Sequence, residues 1–467
     1  MEKVGILVVS YGAREAAMID VFARSLDYDT EIFVVDKQNN PFNLKKAVEH
    51  IVVPDLGVSD ICRFGAKRRD KIDFCVVGPE KPIIGGVRDE FEKETGIPVI
   101  CPTKRFALEA SKVAQRRLFE KAAPHVNPRF RVFDPKDYKG LDDVRRALYR
   151  WLDELGGQAV VKPDVPAAGK GVGVWGDHFT TREQLFTHFL ANYEQGMVVV
   201  EEKIEGEESS FQAFCDGKHL IALPETRDYK RAFDGDKGPN TGGMGSYKGT
   251  GKRLPFVLHE DEEKEEAIVR KIFETMRKLG SSNELRGVPF YVAFIHTAEG
   301  PKILENNSRP GDPEMMNLLP LLRDDFVDVC FSMIEGNLTK VAIEDKASVV
   351  TYKAPPSYGG YLDAFPDKVK RDEVGTPVRL ENALMLGNNV RVYPASMDLR
   401  NGQTYALSSR AVAVVGIAHT IQDARELSLK GVAAIEGGAL WNRSDIASKE
   451  HIQKSVDHMA RLRHESR

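Results

Sequence analysis

Cysteine is scarce. The 467 residues hold five, and none of Cys62, Cys75, Cys101, Cys215 and Cys330 sits in a Cys-x-x-Cys pair. That spacing excludes a disulfide framework and a structural zinc site, and it points to a reducing, cytoplasmic setting. Long apolar runs are missing too. The longest, such as 411–418, have strand length and fall far below the ~20 residues of a membrane helix. Neither sign of charge dominates: 66 Lys and Arg stand against 70 Asp and Glu, a net −4, which gives no broad basic footprint for nucleic acid. The stretch 1–12 lacks a secretory cleavage pattern and reads as a strand entering a glycine turn. Internal repeats and low-complexity tracts are absent. What remains is 42% hydrophobic and 29% charged residues, enough for several cores over a length suited to about three domains. These features describe a multidomain α/β enzyme with no nucleic-acid or membrane partner.

The first hundred residues alternate between β-branched runs (4–9, 31–35, 72–77, 97–101) and helical spacing (14–26, 82–94). Such alternation predicts βαβ units and a parallel sheet, whose ligands gather at the carboxyl ends of its strands. That edge carries 11–15 and 78–82. A helix over 104–121 ends before Pro124 and Pro128. The middle of the chain is strand-rich and glycine-punctuated, with strands at 159–162, 197–204, 209–215, 288–296 and 302–307, a helix at 260–279 and few others, which reads as α+β. The last ~120 residues hold strands at 348–354, 389–394, 404–407 and 411–417 and helices at 421–430 and 449–463.

Three clusters carry chemistry. After Lys162 comes Ala168-Gly169-Lys170-Gly171, a glycine loop whose N–H groups can approach an anion. It is no Walker loop, because Gly171 stands where a metal-binding Ser or Thr would be. Next, Asp228-Tyr229-Lys230-Arg231 leads into Gly238-Pro239-Asn240-Thr241-Gly242-Gly243-Met244-Gly245, an anion-friendly glycine nest beside fixed cations. Third is Glu305-Asn306-Asn307-Ser308-Arg309-Pro310-Gly311-Asp312-Pro313-Glu314. On a strand, Glu305 and Asn307 share a face and supply two oxygen ligands of the kind Mg²⁺ takes, and Arg309 can reach a phosphate bidentately. A weaker feature is the strand ending at Glu201-Glu202 before Gly206-Glu207-Glu208, a hinge able to offer hydrogen bonds to a nucleoside. A dehydrogenase reading of the first βα unit fails, since Ser10-Tyr11-Gly12-Ala13 lacks Gly-x-Gly-x-x-Gly.

In order, these motifs resemble the ATP-grasp superfamily and, within it, the phosphoribosylamine–glycine ligase (glycinamide ribonucleotide synthetase) family in its archaeal form. Gly78-Pro79-Glu80-Lys81-Pro82, Pro102-Thr103-Lys104, Ser111-Lys112, the 238–245 stretch, Gly311-Asp312-Pro313-Glu314 and Arg443-Ser444-Asp445-Ile446 all have family counterparts. The resemblance implies an N-terminal parallel-sheet, Rossmann-like pre-ATP-grasp domain (1–123), ATP-grasp lid (124–205) and catalytic (206–345) subdomains, and a small β-rich, barrel-sandwich-like C-terminal domain (346–467). It implies ligation of glycine to 5-phosphoribosylamine through a glycyl phosphate, with ATP and Mg²⁺ or Mn²⁺, in a monomer or weak homodimer. Lys112, Lys162, Gly169, Lys170, Gly171, Glu201 and Glu208 would bind ATP, with Glu201 facing adenine and Glu208 ribose. Glu305 and Asn307 would hold the metal, and Arg309, Lys230, Asp228 and Gly243 would serve catalysis. Gly12, Arg14, Gly78, Pro79, Glu80, Gly242, Met244, Gly245 and Asp312 would bind the other substrates.

Departures fall near the site. Ala16 stands where the family has His, Tyr229 where it has His, and Asn306 and Pro310 where it has Phe. They motivate two alternatives: an ATP-grasp ligase for another amine, or a degenerate nucleotide-binding paralogue.

Overall fold

A computed structural model describes residues 1–164 and 171–465. At the N-terminus, strands Glu49–Val52, Tyr28–Asp36, Glu2–Ser10, Phe74–Val77 and Val99–Ile100 form one parallel sheet in that spatial order. The runs are apolar on both faces because helices cover both faces. Helix Ala13–Ala23 leaves the first strand at Gly12, where the Glu15 carboxylate accepts the N–H groups of Gly12 (2.9 Å) and Tyr11 (3.1 Å). The helix expected over 82–94 is two helices, Glu80–Gly85 and Val87–Thr95, broken at Gly86, whose φ of 87° is a conformation suited to glycine. The helix expected from 104 starts at Lys112 instead. Ser111 Oγ accepts the Ala114 N–H at 3.0 Å and caps it, and 3₁₀ turns precede it.

Two antiparallel sheets follow. Phe130–Phe133, Val198–Glu202, Ala159–Pro163 and Gly173–Val174 form the first. Helices Leu141–Glu154 and Arg182–Tyr193 cover it and supply Val144, Leu148, Leu152, Leu185 and Phe189 to its core. The sequence reading underestimated helix here. The second sheet runs Leu220–Ala222, Glu207–Asp216, Arg286–Thr297, Gly300–Asn307. Helix His259–Leu279 packs on it through Ile268, Val269, Ile272 and Met276, an i, i+1, i+4, i+8 stripe.

The last large sheet orders Arg227–Asp228, Gly245–Lys248, Ala347–Lys353, Val412–Ala418 and Val390–Pro394, all antiparallel. Its first two strands come from before the boundary expected at 346. The glycine loop between them is thereby tied to the C-terminal part of the chain. Among the described residues no helix is long and apolar enough to cross a membrane.

Behind the second sheet lies a buried polar knot. Ser209 Oγ meets Glu265 Oε1 at 2.8 Å and His296 Nε2 at 3.0 Å, and Glu225 adjoins Glu265. Burial pushes both carboxyls up, Glu265 to about 8. The folded state therefore keeps protons that the unfolded chain has released above about 4.5. The stabilisation is complete below that pH and is lost as pH rises through about 8. Thermal midpoints should fall between about pH 5 and pH 8, and Glu265→Gln should flatten that slope. An unchanged slope in the variant would assign the effect elsewhere.

Candidate functional site

The strand Gly300–Asn307 carries the centre of the site. Glu305 lies opposite Ala293 and Asn307 opposite Tyr291, on one face, after a register shift between Ala293 and Phe294. Among the described residues no hydrogen bond or ion pair claims either side chain. Burial raises the Glu305 carboxyl, but the charges of Lys230, Lys162, Lys112 and Arg309 more than offset this and hold it below the ordinary range. Two unclaimed oxygen donors ringed by cations fit a divalent metal that arrives with phosphate oxygens. Among the described residues no group of three or more His, Cys, Asp or Glu could hold a metal by itself.

The cations are themselves fixed. Lys162 Nζ pairs with Glu201. Arg116 grips both oxygens of that carboxylate (Nε to Oε2 2.8 Å, Nη2 to Oε1 3.1 Å) and also donates to the carbonyls of Ile303 (3.2 Å) and Leu304 (2.8 Å). The adenine-facing carboxylate expected at Glu201 is thus occupied by two cations, and it holds Lys162 against the strand of Glu305. Glu208, expected at the ribose, accepts Lys230 Nζ at 2.5 Å. Gly171 has φ of 87°, and its carbonyl meets His188 Nε2 at 2.9 Å. Gly169 and Lys170 lie outside the described residues.

Asp228 and Lys230 face the site, and Tyr229 between them points away. Its hydroxyl accepts the Ala447 N–H at 2.9 Å, and its ring lies 4.9 Å from that of His451. Asp228 is pushed well up by burial and by Glu314, and its Oδ1 has no partner among the described residues. Gly243, at φ 100°, lies against it: a β-carbon there would collide with Asp228 Oδ1 and stand 2.6 Å from Pro313 Cδ.

The loop corrects one expectation. Its N–H groups are not an open anion nest. Gly242 N–H donates to Tyr358 Oη (3.1 Å), Gly243 N–H to Thr241 Oγ1 (3.1 Å) and Met244 N–H to the Tyr229 carbonyl (2.8 Å). The glycines are there for close packing. Gly245 pairs with Thr351, and a β-carbon on it would collide with the Val350 carbonyl.

Arg309 closes the strand end. Its Nη1 donates to the Pro310 carbonyl (3.0 Å), and Nε stands 3.5 Å from Glu109 and 3.9 Å from Glu80. Pro79 precedes helix Glu80–Gly85 as its cap, which puts Glu80 at the carboxyl edge of the parallel sheet. Arg14, expected at a substrate, is buried and committed: Nε donates to Glu15 (2.6 Å) and Nη1 to the Pro310 carbonyl (2.8 Å). Glu15 in turn occupies the N–H groups of Gly12 and Tyr11, and a β-carbon on Gly78 would collide with its carboxylate. Gly12, Arg14 and Gly78 thus make a buried support beneath Pro310. Asp312 is held by Tyr352 Oη (2.8 Å) and Arg410 Nη2 (3.2 Å).

Sequence reasoning missed Arg116, Glu109, Tyr352 and Arg410. Arg410, just before an apolar strand, gives no local signal, because its partners lie about 100 to 170 residues away. The departures are structural here. Ala16 is buried in the N-terminal core, the Pro310 carbonyl joins two arginines, and both amide atoms of Asn306 are buried without a partner among the described residues.

Comparison with known proteins matches residues 4–109 to the phosphoribosylglycinamide synthetase N domain and 128–315 to the phosphoribosylglycinamide synthetase ATP-grasp (A) domain. A phosphoribosylamine–glycine ligase of Methanocella arvoryzae is 36% identical over 465 residues, 98% of this chain and 99% of that one. One of Thermococcus kodakarensis is 34% identical, covering 98% and 100%. The fold is similar to the crystal structure of a Thermotoga maritima phosphoribosylamine–glycine ligase (TM-score 0.74, 24% identity, 95% of this chain and 100% of that chain). It is also similar to the biotin carboxylase domain of Hydrogenobacter thermophilus 2-oxoglutarate carboxylase, solved with MgADP (TM-score 0.66, 15% identity, 98% and 93%).

Proposed function

Because the chain belongs to the phosphoribosylamine–glycine ligase family of ATP-grasp enzymes, we propose that it joins glycine to 5-phosphoribosylamine with ATP, giving glycinamide ribonucleotide, ADP and phosphate in purine biosynthesis. A carboxylate is a poor electrophile. Transfer of the γ-phosphoryl group to a glycine carboxylate oxygen creates an acyl phosphate. The amine nitrogen then bonds to the carbonyl carbon, the carbon–oxygen bond to phosphate breaks, and the nitrogen loses a proton.

No protein nucleophile is required, so catalysis is positioning and charge stabilisation. Lys162 and Lys112, whose charges act on Glu305, meet the ATP phosphates. Glu201 holds Lys162 in place. Glu208 and Lys230 form one pair that orients the nucleotide. Glu305 and Asn307 would hold Mg²⁺ or Mn²⁺, which neutralises phosphate charge when bound. Arg309 steadies the transferring phosphoryl group. The proton the amine loses leaves with the departing phosphate, and Asp228, which burial and Glu314 keep as a neutral carboxyl, lines the site. The 242–245 loop with Asp312 encloses glycine and keeps water from the acyl phosphate. The phosphosugar lies along the Gly78–Glu80 edge.

The observation that carries this reading is the pair of unclaimed donors, Glu305 and Asn307, inside a ring of four cations. Of the changed residues, Ala16 and Tyr229 pack in hydrophobic cores, while the Pro310 carbonyl accepts from Arg14 and Arg309. The test is ADP release with glycine, ATP and freshly generated 5-phosphoribosylamine, each omitted in turn. Full turnover should require all three. Equal or faster turnover with another amine would overturn the substrate assignment.

A further inference from the structure

Arg410 comes from beyond the ATP-grasp region and holds the glycine loop. Its Nη1 donates to the carbonyls of Gly242 (2.6 Å) and Gly243 (2.9 Å), and its Nη2 to Asp312 Oδ2 (3.2 Å). The guanidinium carbon stands 4.4 Å from the centre of the Tyr352 ring, and Tyr352 Oη donates to the other oxygen of Asp312 (2.8 Å). Tyr358 Oη accepts the Gly242 N–H (3.1 Å). Both backbone polar groups of Gly242 and the carbonyl of Gly243 are therefore held by side chains of the C-terminal part, while Gly243 itself presses on Asp228 and Pro313. Arg410 is buried, and three acceptors use its donors. Such a guanidinium, with three of its five N–H groups committed within the protein, is part of the frame. Lysine could not replace it, because an ammonium is a single point and cannot bridge two carbonyls and a carboxylate in one plane.

We propose that Arg410 is a positioning residue that latches the Gly242–Gly243 segment over the reaction centre, and that the latch sets how faithfully ATP consumption is coupled to amide formation. The inference rests on the ligase reading above. The acyl phosphate has two fates. Attack by the amine forms the carbon–nitrogen bond, breaks the bond to phosphate and yields one amide per ADP. Attack by water forms a carbon–oxygen bond at the same carbon, breaks the same bond, passes a proton to solvent and returns glycine, so ADP and phosphate appear without amide. A loosened loop admits water and favours the second fate.

The experiment measures ADP and amide in the same samples for the wild-type chain, Arg410→Lys and Arg410→Ala. The wild type should give about one ADP per amide, and the variants roughly three- to tenfold more ADP per amide, with the KM for ATP unchanged. Methylguanidine should lower the ratio for Arg410→Ala and leave Arg410→Lys as it is. A merely structural loss would lower amide and ADP together. Ratios that stay at one in active variants would overturn the latch. If these variants fail to fold, Arg410→Gln, which can reach one carbonyl but not bridge two carbonyls and Asp312, decides in the same way: a ratio above one supports the latch, and a ratio of one overturns it. A wild-type chain that makes no amide from glycine and 5-phosphoribosylamine would instead defeat the ligase reading.

Discussion

Glu305→Ala should abolish ligation, with kcat/KM reduced by about 10³-fold or more, and should weaken binding of the metal–nucleotide complex far more than binding of nucleotide alone. Among the described residues no hydrogen bond or ion pair claims the Glu305 side chain, yet four cations hold it ionised. Removing it takes away the anionic ligand and leaves Asn307 as a lone neutral donor. The fold should survive. Lys162 keeps Glu201, Lys230 keeps Glu208, and Arg309 keeps Glu80 and Glu109, so these three cations retain partners. Titration calorimetry with ATP, with and without Mg²⁺, alongside a thermal melt, separates the two effects. Near-normal turnover would remove Glu305 from the metal site.

Arg309→Ala should lower the rate of phosphoryl transfer by about 10³-fold while changing ATP affinity much less. The guanidinium stands at the end of the Glu305 strand between Glu80 and Glu109, with its Nε short of a hydrogen-bond partner among the described residues. The guanidinium charge, at the end of the strand that carries Glu305, is what a transferring phosphoryl group would meet. Loss of the charge also leaves Glu109 buried beside Glu80. Burial already pushes the Glu109 carboxyl up, so in the variant it should bind a proton and spare the fold a bare charge. A melt lowered by a few degrees at neutral pH, recovering as pH falls, is the expected signature. Arg309→Lys should restore stability better than rate, because an ammonium cannot make the planar two-point contact. Single-turnover phosphoryl transfer reads the rate directly. A rate unaltered in Arg309→Ala would exclude the role.

Much of this was legible in residue order, because local signals report local geometry. The alternation of Glu305 and Asn307 predicts one strand face, and they do share it. The parallel sheet follows from the apolar runs of the first hundred residues. Helix continuity was less legible. The break at Gly86 and the cap at Ser111 each turn on one residue, and a helical pattern across them is the same on both sides. The glycine loop misled for a physical reason. Glycine serves anion binding and close packing equally well, and only the partners of the N–H groups distinguish them. Asp228 behind Gly243 and Val350 behind Gly245 show that packing is the reason here. Arg410 and Arg116 were out of reach, since each acts on segments far away in sequence.

The central claim is that glycine is activated as an acyl phosphate. The most direct measurement uses glycine labelled with ¹⁸O in both carboxylate oxygens, in the complete reaction with 5-phosphoribosylamine and ATP. Phosphoryl transfer to a carboxylate oxygen, followed by cleavage of the bond from carbon to that oxygen, sends one labelled oxygen into each released phosphate and leaves the other in the amide. Mass spectrometry of the phosphate should find that single label. Unlabelled phosphate beside newly formed amide would contradict the account.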